Sequence, residues 1–136
     1  MQIAFRTHDL GVKSLEGAVK KCKQCGISAV QLVAYKFLDD VKYAPDGIDC
    51  HKAEIIGEAF ESADIAVPLI GAYFNPVHSD REKVARCKQV FKDYLSLTRE
   101  LGCDIVGSET GSFHDDKWPY HPLNRTEEAL QTVVST

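Results

Sequence analysis

The sequence lacks a long uninterrupted apolar segment. The most apolar stretch, residues 65–74, covers only about ten residues and is broken by Pro68 and Gly71, whereas a membrane helix needs roughly twenty. No apolar region follows residues 1–6 in the manner of a signal peptide. We therefore expect no membrane partner and a cytoplasmic location.

Positive charge is also in short supply. The chain has 16 lysines and arginines against 20 aspartates and glutamates, which gives a net charge of -4. This balance argues against a nucleic-acid partner, because phosphate contacts depend on clustered basic side chains. The 44% hydrophobic and 26% charged residues exclude a disordered chain, and 136 residues suffice for one domain with a core.

The five cysteines do not form a secreted disulfide pattern, because their number is odd and their spacing irregular. Cys22 and Cys25 form a Cys-x-x-Cys motif late in a helical pattern, with no second pair at zinc-ribbon spacing. A zinc site with Cys50 and His51 would require two helix ends to meet. We favour buried, reduced cysteines over a metal or redox site.

Hydrophobic periodicity and turn residues predict alternating strands and helices. Ser14 and Asp49 are expected to cap the first two helices, and Gly26 to end the first. Ser79 begins a Ser-x-x-Glu capping box for the third helix. The predicted strands are residues 2–7, 27–34, 65–73 and 103–106, and the predicted helices follow at about 14–26, 50–63, 79–101 and from 124–127 onward.

The interval between the strands and the position of Pro68 indicate how the sheet is built. Strand positions near Ala29, Val67 and Ile105 recur at an interval of about 38 residues, each after a helix. Right-handed crossovers then give a parallel sheet with all strand-to-helix loops at one edge. Pro68 cannot donate to a ladder, so we expect it near the start of its strand or beside a bulge.

The edge at the carboxyl ends of the strands is the expected site, since α/β proteins bind ligands there. Three of the residues at this edge also have a structural interpretation, Glu109 as the cap of a turn, His8 as the cap of a strand exit and Lys36 as a solvated lysine. His78 precedes a helix start and is better explained by structure than by function. The residues collected at this edge are His8, Lys36, Asn75, His78, Glu109 and His121.

Five short segments lie at the ends of the predicted strands or in the loops after them. They are Thr-His-Asp at 7–9, Ala-Tyr-Lys at 34–36, Gly-Ala-Tyr-Phe-Asn-Pro-Val-His at 71–78, Val-Gly-Ser-Glu-Thr-Gly-Ser at 106–112 and Tyr-His-Pro at 120–122. Together they resemble the xylose-isomerase-like barrel family. The third and fourth segments resemble the sugar phosphate isomerase and epimerase branch. Family members have eight βα units. The resemblance spans residues 1–136 and implies one domain, a parallel (βα)4 half of a TIM (β/α)8 barrel.

The resemblance also implies an activity. The full-length protein would act on a small sugar or sugar phosphate by proton transfer assisted by Mn, Mg or Zn. The family's metal ligands come mainly from strands five to eight, so no metal ligand is assigned in this chain. The implied catalytic residues are Glu109 and His8, and the implied substrate-binding residues are Lys36, Asn75, His78 and His121.

Two other functions remain open. One is a non-catalytic remnant or binding module that holds a small polyol. The other is a DNA-repair nuclease like the AP endonucleases, whose metal centre uses histidines, but the acidic balance and the Glu109 motif count against it.

Half a barrel would leave two open sheet edges and an uncovered interior face. We therefore expect either a homodimer that pairs these edges or a loosely packed fragment. The residues predicted to lie partly against water are Ile3, Phe5, Val30, Leu32, Leu69 and Ile105.

Overall fold

A computed structural model describes residues 3–117 and 120–136 of the chain. In these residues the strands are β1 (Phe5–Arg6), β2 (Ala29–Leu32), β3 (Ala66–Gly71) and β4 (Val106–Gly107). The helices are α1 (Leu15–Cys25), α2 (Ala34–Phe37), α3 (Cys50–Glu61), α4 (Arg81–Ser96) and α5 (Glu127–Ser135), and 3-10 turns occupy Thr7–Leu10 and Pro122–Arg125. None of the described helices combines the length and apolar character needed to cross a bilayer.

The strands form one parallel sheet in the order β1-β2-β3-β4, which confirms the predicted parallel α/β sheet. Between β2 and β3 the pairing moves from Ala29 opposite Ala66 to Gln31 opposite Leu69. β3 thus advances by one residue more than β2, and Pro68 lies within this irregularity. A proline there breaks no regular ladder, because the bulge already interrupts the pairing.

The core lies between the sheet and its helices. Val30 and Leu32 of β2 are fully buried in it, so the expectation that they lie against water is wrong. Side chains alternate along a strand, and these two lie on the face that packs with the helices, whereas Gln31 between them lies on the other face. The cluster that surrounds them includes Ala18, Cys22, Ala53, Ile56, Phe60, Ile70 and Tyr94.

Three predicted helix ends are confirmed. The Ser14 hydroxyl accepts a hydrogen bond from the Gly17 amide at 3.1 Å, and the Asp49 carboxylate accepts one from the backbone amide of Lys52 at 2.7 Å. Gly26 closes α1 with φ 65°, a left-handed conformation that glycine adopts without side-chain strain. Local chemistry therefore fixes these boundaries.

The predicted cap of the third helix is wrong by one residue. Asp80, rather than Ser79, accepts from the Lys83 amide at 2.9 Å. Ser79 is occupied elsewhere, since its amide and hydroxyl both donate to the Asp115 carboxylate, at 2.8 and 2.9 Å. In the same way α5 begins with Thr126 as its cap, after residues 122–125 form a 3-10 turn.

Some predicted boundaries are too wide. β4 contains only Val106–Gly107, and Ile105 before it is 58% exposed although its carbonyl accepts from the Ile70 amide at 2.9 Å. β2 ends at Leu32, and the chain then forms the single helical turn α2. Gln2, where the first strand was expected to begin, lies outside the described residues.

The five cysteines are all free. Cys22 is buried in α1, whereas Cys25 at the end of that helix is exposed. The Cys-x-x-Cys pair therefore divides between the core and the surface. The expectation of buried cysteines is confirmed for Cys22 and wrong for Cys25, because Cys25 lies in the last turn of α1 on its solvent side.

Candidate functional site

His8 is positioned by the turn that follows β1. Thr7, the residue before it, is fully buried, and its hydroxyl accepts a hydrogen bond from the Val33 amide at 3.0 Å. This bond ties the end of β1 to the end of β2. His8 therefore leaves the sheet beside the segment that carries Lys36.

Lys36 lies on α2, directly after β2. Its ammonium nitrogen is 5.4 Å from the centroid of the Tyr73 ring, a cation–π distance. Its backbone carbonyl accepts a hydrogen bond from the Lys13 ammonium at 3.4 Å. The contact with Tyr73 brings Lys36 to the end of β3, because Tyr73 lies two residues after Gly71, the last residue of that strand.

Tyr73 folds back over the end of the sheet. A Cβ at Gly71 would lie 2.6 Å from the Tyr73 ring, so only glycine leaves space for the ring in this position. The Tyr73 hydroxyl accepts a hydrogen bond from the side-chain amide of Gln31. Gln31 lies on the sheet face opposite the helices, and the bond joins this face to the loops at the carboxyl edge.

The surroundings of His8 favour the neutral imidazole. Burial lowers the pKa of His8 first, the positive charge of Lys36 lowers it further, and Asp9 only partly offsets both. The Nδ1 atom is buried and has no hydrogen-bond partner among the described residues. The buried Nδ1 is closed to a ligand, so a role of the neutral imidazole as a general base or ligand contact would fall to Nε2.

Glu109 follows β4 and is exposed. Its carboxylate acts electrostatically on two tyrosines of the same edge. Burial, with Glu109 as a further cause, raises the pKa of Tyr73 above its ordinary value. Burial also raises the pKa of Tyr35 to about 12, and Glu109 contributes to that shift as well. Glu109 is therefore close enough to influence the groups around Tyr73.

We refer to His8, Gln31, Lys36, Tyr73 and Glu109 as the carboxyl-edge cluster. It presents an imidazole, an amide, an ammonium group, a phenol and a carboxylate from the ends or the open face of four successive strands. Such a set can bind hydroxyl groups and an anionic group and can accept a proton.

Asn75 is placed differently, in what we call the loop clasp (Asn75, Ser112 and Asp115). Its side-chain amide donates to the carbonyls of Ser112 and Asp115, at 2.6 and 2.7 Å. Its side-chain oxygen accepts from the amides of Ser112 and Val77, both at 3.1 Å. Two donors and two acceptor positions are thus all used, and the side chain joins the loops after β3 and β4.

His78 is buried at the start of α4. Its Nδ1 accepts from the Asp80 amide at 2.9 Å, and its Nε2 lies 3.4 Å from the Asp116 carboxylate. Both ring nitrogens therefore have partners within the protein.

His121 begins the 3-10 turn Pro122–Arg125, where its Nδ1 accepts from the Leu123 amide at 3.2 Å. Its ring meets the edge of His114, with ring centroids 4.6 Å apart. These contacts place His121 among the residues after β4 that precede α5, rather than beside His8 and Lys36.

Two members of the cluster were missed in the sequence. Gln31 is a polar residue within an otherwise apolar strand, and this break in the pattern is the signal that could have found it. Tyr73 was read as the last residue of its strand. Its backward fold depends on Gly71, and that contact is visible only in three dimensions.

The expected divalent metal does not fit the described residues. Among residues 3–117 and 120–136, no three histidine, cysteine, aspartate or glutamate side chains lie together in a metal-binding arrangement. The carboxyl-edge cluster itself offers one carboxylate and one imidazole. A bound Mn, Mg or Zn ion normally needs more protein ligands than these two residues provide.

A comparison of the chain with protein-family models, with curated proteins and with solved structures finds no match. The resemblance of the short segments thus receives no support from whole-chain similarity. Any functional proposal depends on the chemistry of the carboxyl-edge cluster.

Proposed function

We propose that the carboxyl-edge cluster binds a small sugar or sugar phosphate, and that the chain is the substrate-contacting half of an isomerase- or epimerase-like barrel. The observation that supports this most is the meeting of Lys36 with Tyr73, 5.4 Å apart, beside His8. Three strand ends thereby supply a cation, a phenol and a neutral base to one place. The motif resemblance favours the same substrate class.

The proposal assigns a role to each side chain. Lys36 holds the anionic group of the substrate, a phosphate or a developing oxyanion. Gln31 and Tyr73 form hydrogen bonds with sugar hydroxyls. His8 or Glu109 accepts the proton next to the carbonyl, which is the base that enediol chemistry requires.

No step of this proposal uses a metal ion. The family resemblance implies one, but the described residues provide too few ligands for it. The cluster is therefore assigned substrate contact and proton transfer only.

A second candidate is a binding module that holds a polyol without turning it over. It is favoured by the single cation of the cluster. Isomerisation usually needs a base together with an electrophile that stabilises the oxyanion, and Lys36 would have to provide all of that stabilisation. The nuclease reading has less support, because both nitrogens of His78 are already engaged within the protein.

The binding proposal is tested by calorimetric titration with fructose 6-phosphate, fructose and inorganic phosphate. We expect fructose 6-phosphate to bind most tightly, and Lys36→Ala to weaken it by roughly tenfold or more, as for the loss of a charged hydrogen bond. Lys20→Ala, which removes an exposed lysine of α1, is the matched control. Equal affinities for Lys36→Ala and the unchanged protein would refute the assignment.

Turnover separates the two candidates. A protein that binds the sugar phosphate but does not exchange the proton next to its carbonyl with solvent deuterium is a binding module. Deuterium incorporation that is lost in His8→Gln or Glu109→Gln identifies the isomerase-type reaction and its base.

A further inference from the structure

Arg6 is the last residue of β1 and comes directly before the turn that carries His8. In the sheet it is paired with Gln31. Paired residues of neighbouring parallel strands project from the same face, so Arg6 shares with Gln31 the face that the helices do not cover. Its side chain is 58% exposed and is therefore accessible to a ligand.

The guanidinium group of Arg6 is only partly occupied. Its Nε donates to the Asp9 carboxylate at 2.7 Å. Among residues 3–117 and 120–136, its two Nη groups donate to no acceptor. Since a guanidinium has five N–H donors, four of them remain for solvent or a ligand.

The positive charges of Arg6 and Lys36 act on the same side chains. Burial lowers the pKa of His8 most, and Lys36 and Arg6 both lower it further, against the opposite effect of Asp9. The Lys36 ammonium lies 5.4 Å from the centroid of the Tyr73 ring, and Arg6 partly offsets the rise that burial causes in the pKa of Tyr73. Two cations that belong to successive strand ends are therefore close to one imidazole and one phenol.

The carboxylates of this region compensate the two cations unequally. Asp9 forms an ion pair with Arg6. In the part of the chain that the structure describes, Lys36 has no carboxylate within ion-pair distance, and its ammonium rests on the Tyr73 ring. The pair of cations thus keeps an excess of positive charge at the open face.

Charge and donor geometry together favour a phosphate group at this place. A phosphate monoester carries nearly two negative charges at neutral pH and has three strong acceptor oxygens, so it can accept from a guanidinium and an ammonium at once. A carboxylate ligand would only repeat the contact that Asp9 already makes. A neutral sugar would leave both cations without a counter-charge.

We propose that Arg6 and Lys36 form a subsite for the phosphate group of a phosphate monoester, and that this phosphate replaces Asp9 as the acceptor of the Arg6 guanidinium. The inference rests on the proposed function and narrows its substrate to a sugar phosphate. Gln31 and Tyr73 then contact the sugar hydroxyls, and Asp9 is an internal competitor of the ligand.

Calorimetric titration with fructose 6-phosphate at neutral pH tests the two acidic and basic partners. We expect Arg6→Gln to weaken binding by roughly tenfold or more, as for the loss of a charged hydrogen bond. Asp9→Asn should strengthen binding by about threefold, because it removes the competing exposed ion pair. Arg86→Gln is the matched control, since Arg86 is 60% exposed and pairs with Glu82 on α4.

The nuclear magnetic resonance signal of His8 gives a readout that does not depend on the sugar. Sulfate is the probe, because it keeps both negative charges over the pH range in which phosphate gains a proton. Compared with chloride at the same ionic strength, sulfate should move the pKa of His8 back toward 6.5, and this effect should be lost in Arg6→Gln. His51, whose side chain is 83% exposed, is the internal control.

The outcomes separate the subsite from the proposed function. Unchanged binding of fructose 6-phosphate in a folded Arg6→Gln protein would overturn the subsite while sugar phosphate binding stands. Weaker binding in Asp9→Asn, or equal affinities for fructose and fructose 6-phosphate, would also overturn it. A sulfate effect on His8, together with equal affinities for inorganic phosphate and fructose 6-phosphate, would support the subsite and contradict the sugar as its ligand.

Discussion

His8 lies in a turn where burial and the charge of Lys36 both disfavour its protonated form. Its pKa in the folded protein is therefore below the ordinary value of 6.5, so the unfolded chain binds more protons as the pH falls past that value. We expect the free energy of unfolding to decrease from neutral pH toward the lowered pKa, and to do so less steeply in His8→Gln. Urea unfolding across this pH range is the measurement.

The control for this prediction is His51→Gln, because His51 is an exposed residue of α3. It should leave the pH dependence as it is. A His8→Gln protein with the same slope as the unchanged chain would show that His8 does not cause it.

Tyr94 is 1% exposed, and its hydroxyl has no partner among the described residues. Because an unsatisfied buried hydroxyl costs free energy, Tyr94→Phe should raise the free energy of unfolding by about 1 kcal/mol. A loss of stability in Tyr94→Phe, measured by urea unfolding, would mean that the Tyr94 hydroxyl has a partner.

Tyr73→Phe is the opposite case, since it removes the acceptor of the hydrogen bond from Gln31 and should lower the free energy of unfolding by about 1 kcal/mol.

The sequence indicated the general position of the site better than its members. His8, Lys36 and Glu109 were found because each follows a strand, and parallel strands place their ends at one edge. Asn75 follows a strand as well, but its amide is used entirely by backbone groups of the loop after β4. Which polar side chain is already satisfied depends on contacts between distant segments, and sequence spacing does not contain them.

At the scale of elements, the difference between local contacts and contacts with distant segments explains which helix ends could be predicted. Ser14 and Asp49 cap their helices through amides three residues away, so the pattern could be recognised locally. Ser79 has an equally good local pattern, but it donates hydrogen bonds to Asp115, which is 36 residues further along the chain. Asp80 therefore caps α4 instead.

The loop clasp predicts a large effect for one side chain. Asn75→Ala leaves two amides and two carbonyls without their partner, and we expect it to lower the free energy of unfolding by about 2–4 kcal/mol. Gln24→Ala, which removes an exposed amide, is the control and should have little effect. If calorimetric unfolding showed similar stability for both variants, water would be replacing the clasp.

At the scale of the whole molecule, the sheet formed by the described residues has two open edges, β1 and β4. Ile3 is 66% exposed and Phe5 49%, whereas the burial of Val30 and Leu32 makes the exposed apolar area smaller than the sequence predicted. The parallel sheet followed from repeated βα units. Which face of the sheet is covered could not be predicted in the same way, since alternation alone does not say which face meets the helices.

We expect the open edges to associate at micromolar concentration, as seen by light scattering. Ile105→Lys places a charge beside β4, which opposes edge pairing, and should shift the protein toward the monomer. Ile55→Lys, at an exposed position of α3, is the matched control. A monodisperse monomer for the unchanged chain would contradict this prediction.

A further prediction concerns metal ions. Since the described residues contain no group of three suitable ligands, we expect these 136 residues to bind Mn²⁺ or Mg²⁺ no better than weakly. Calorimetric titration is the measurement, and one tight stoichiometric site would contradict it.

Two neighbours hold the Tyr73 ring: the Lys36 ammonium lies over its face, and the side-chain amide of Gln31 donates to its hydroxyl. A ligand that recruits Lys36 or Gln31 would have to replace one of these contacts. The affinity measured for such a ligand would therefore be the difference between the new contact and the internal one that it displaces.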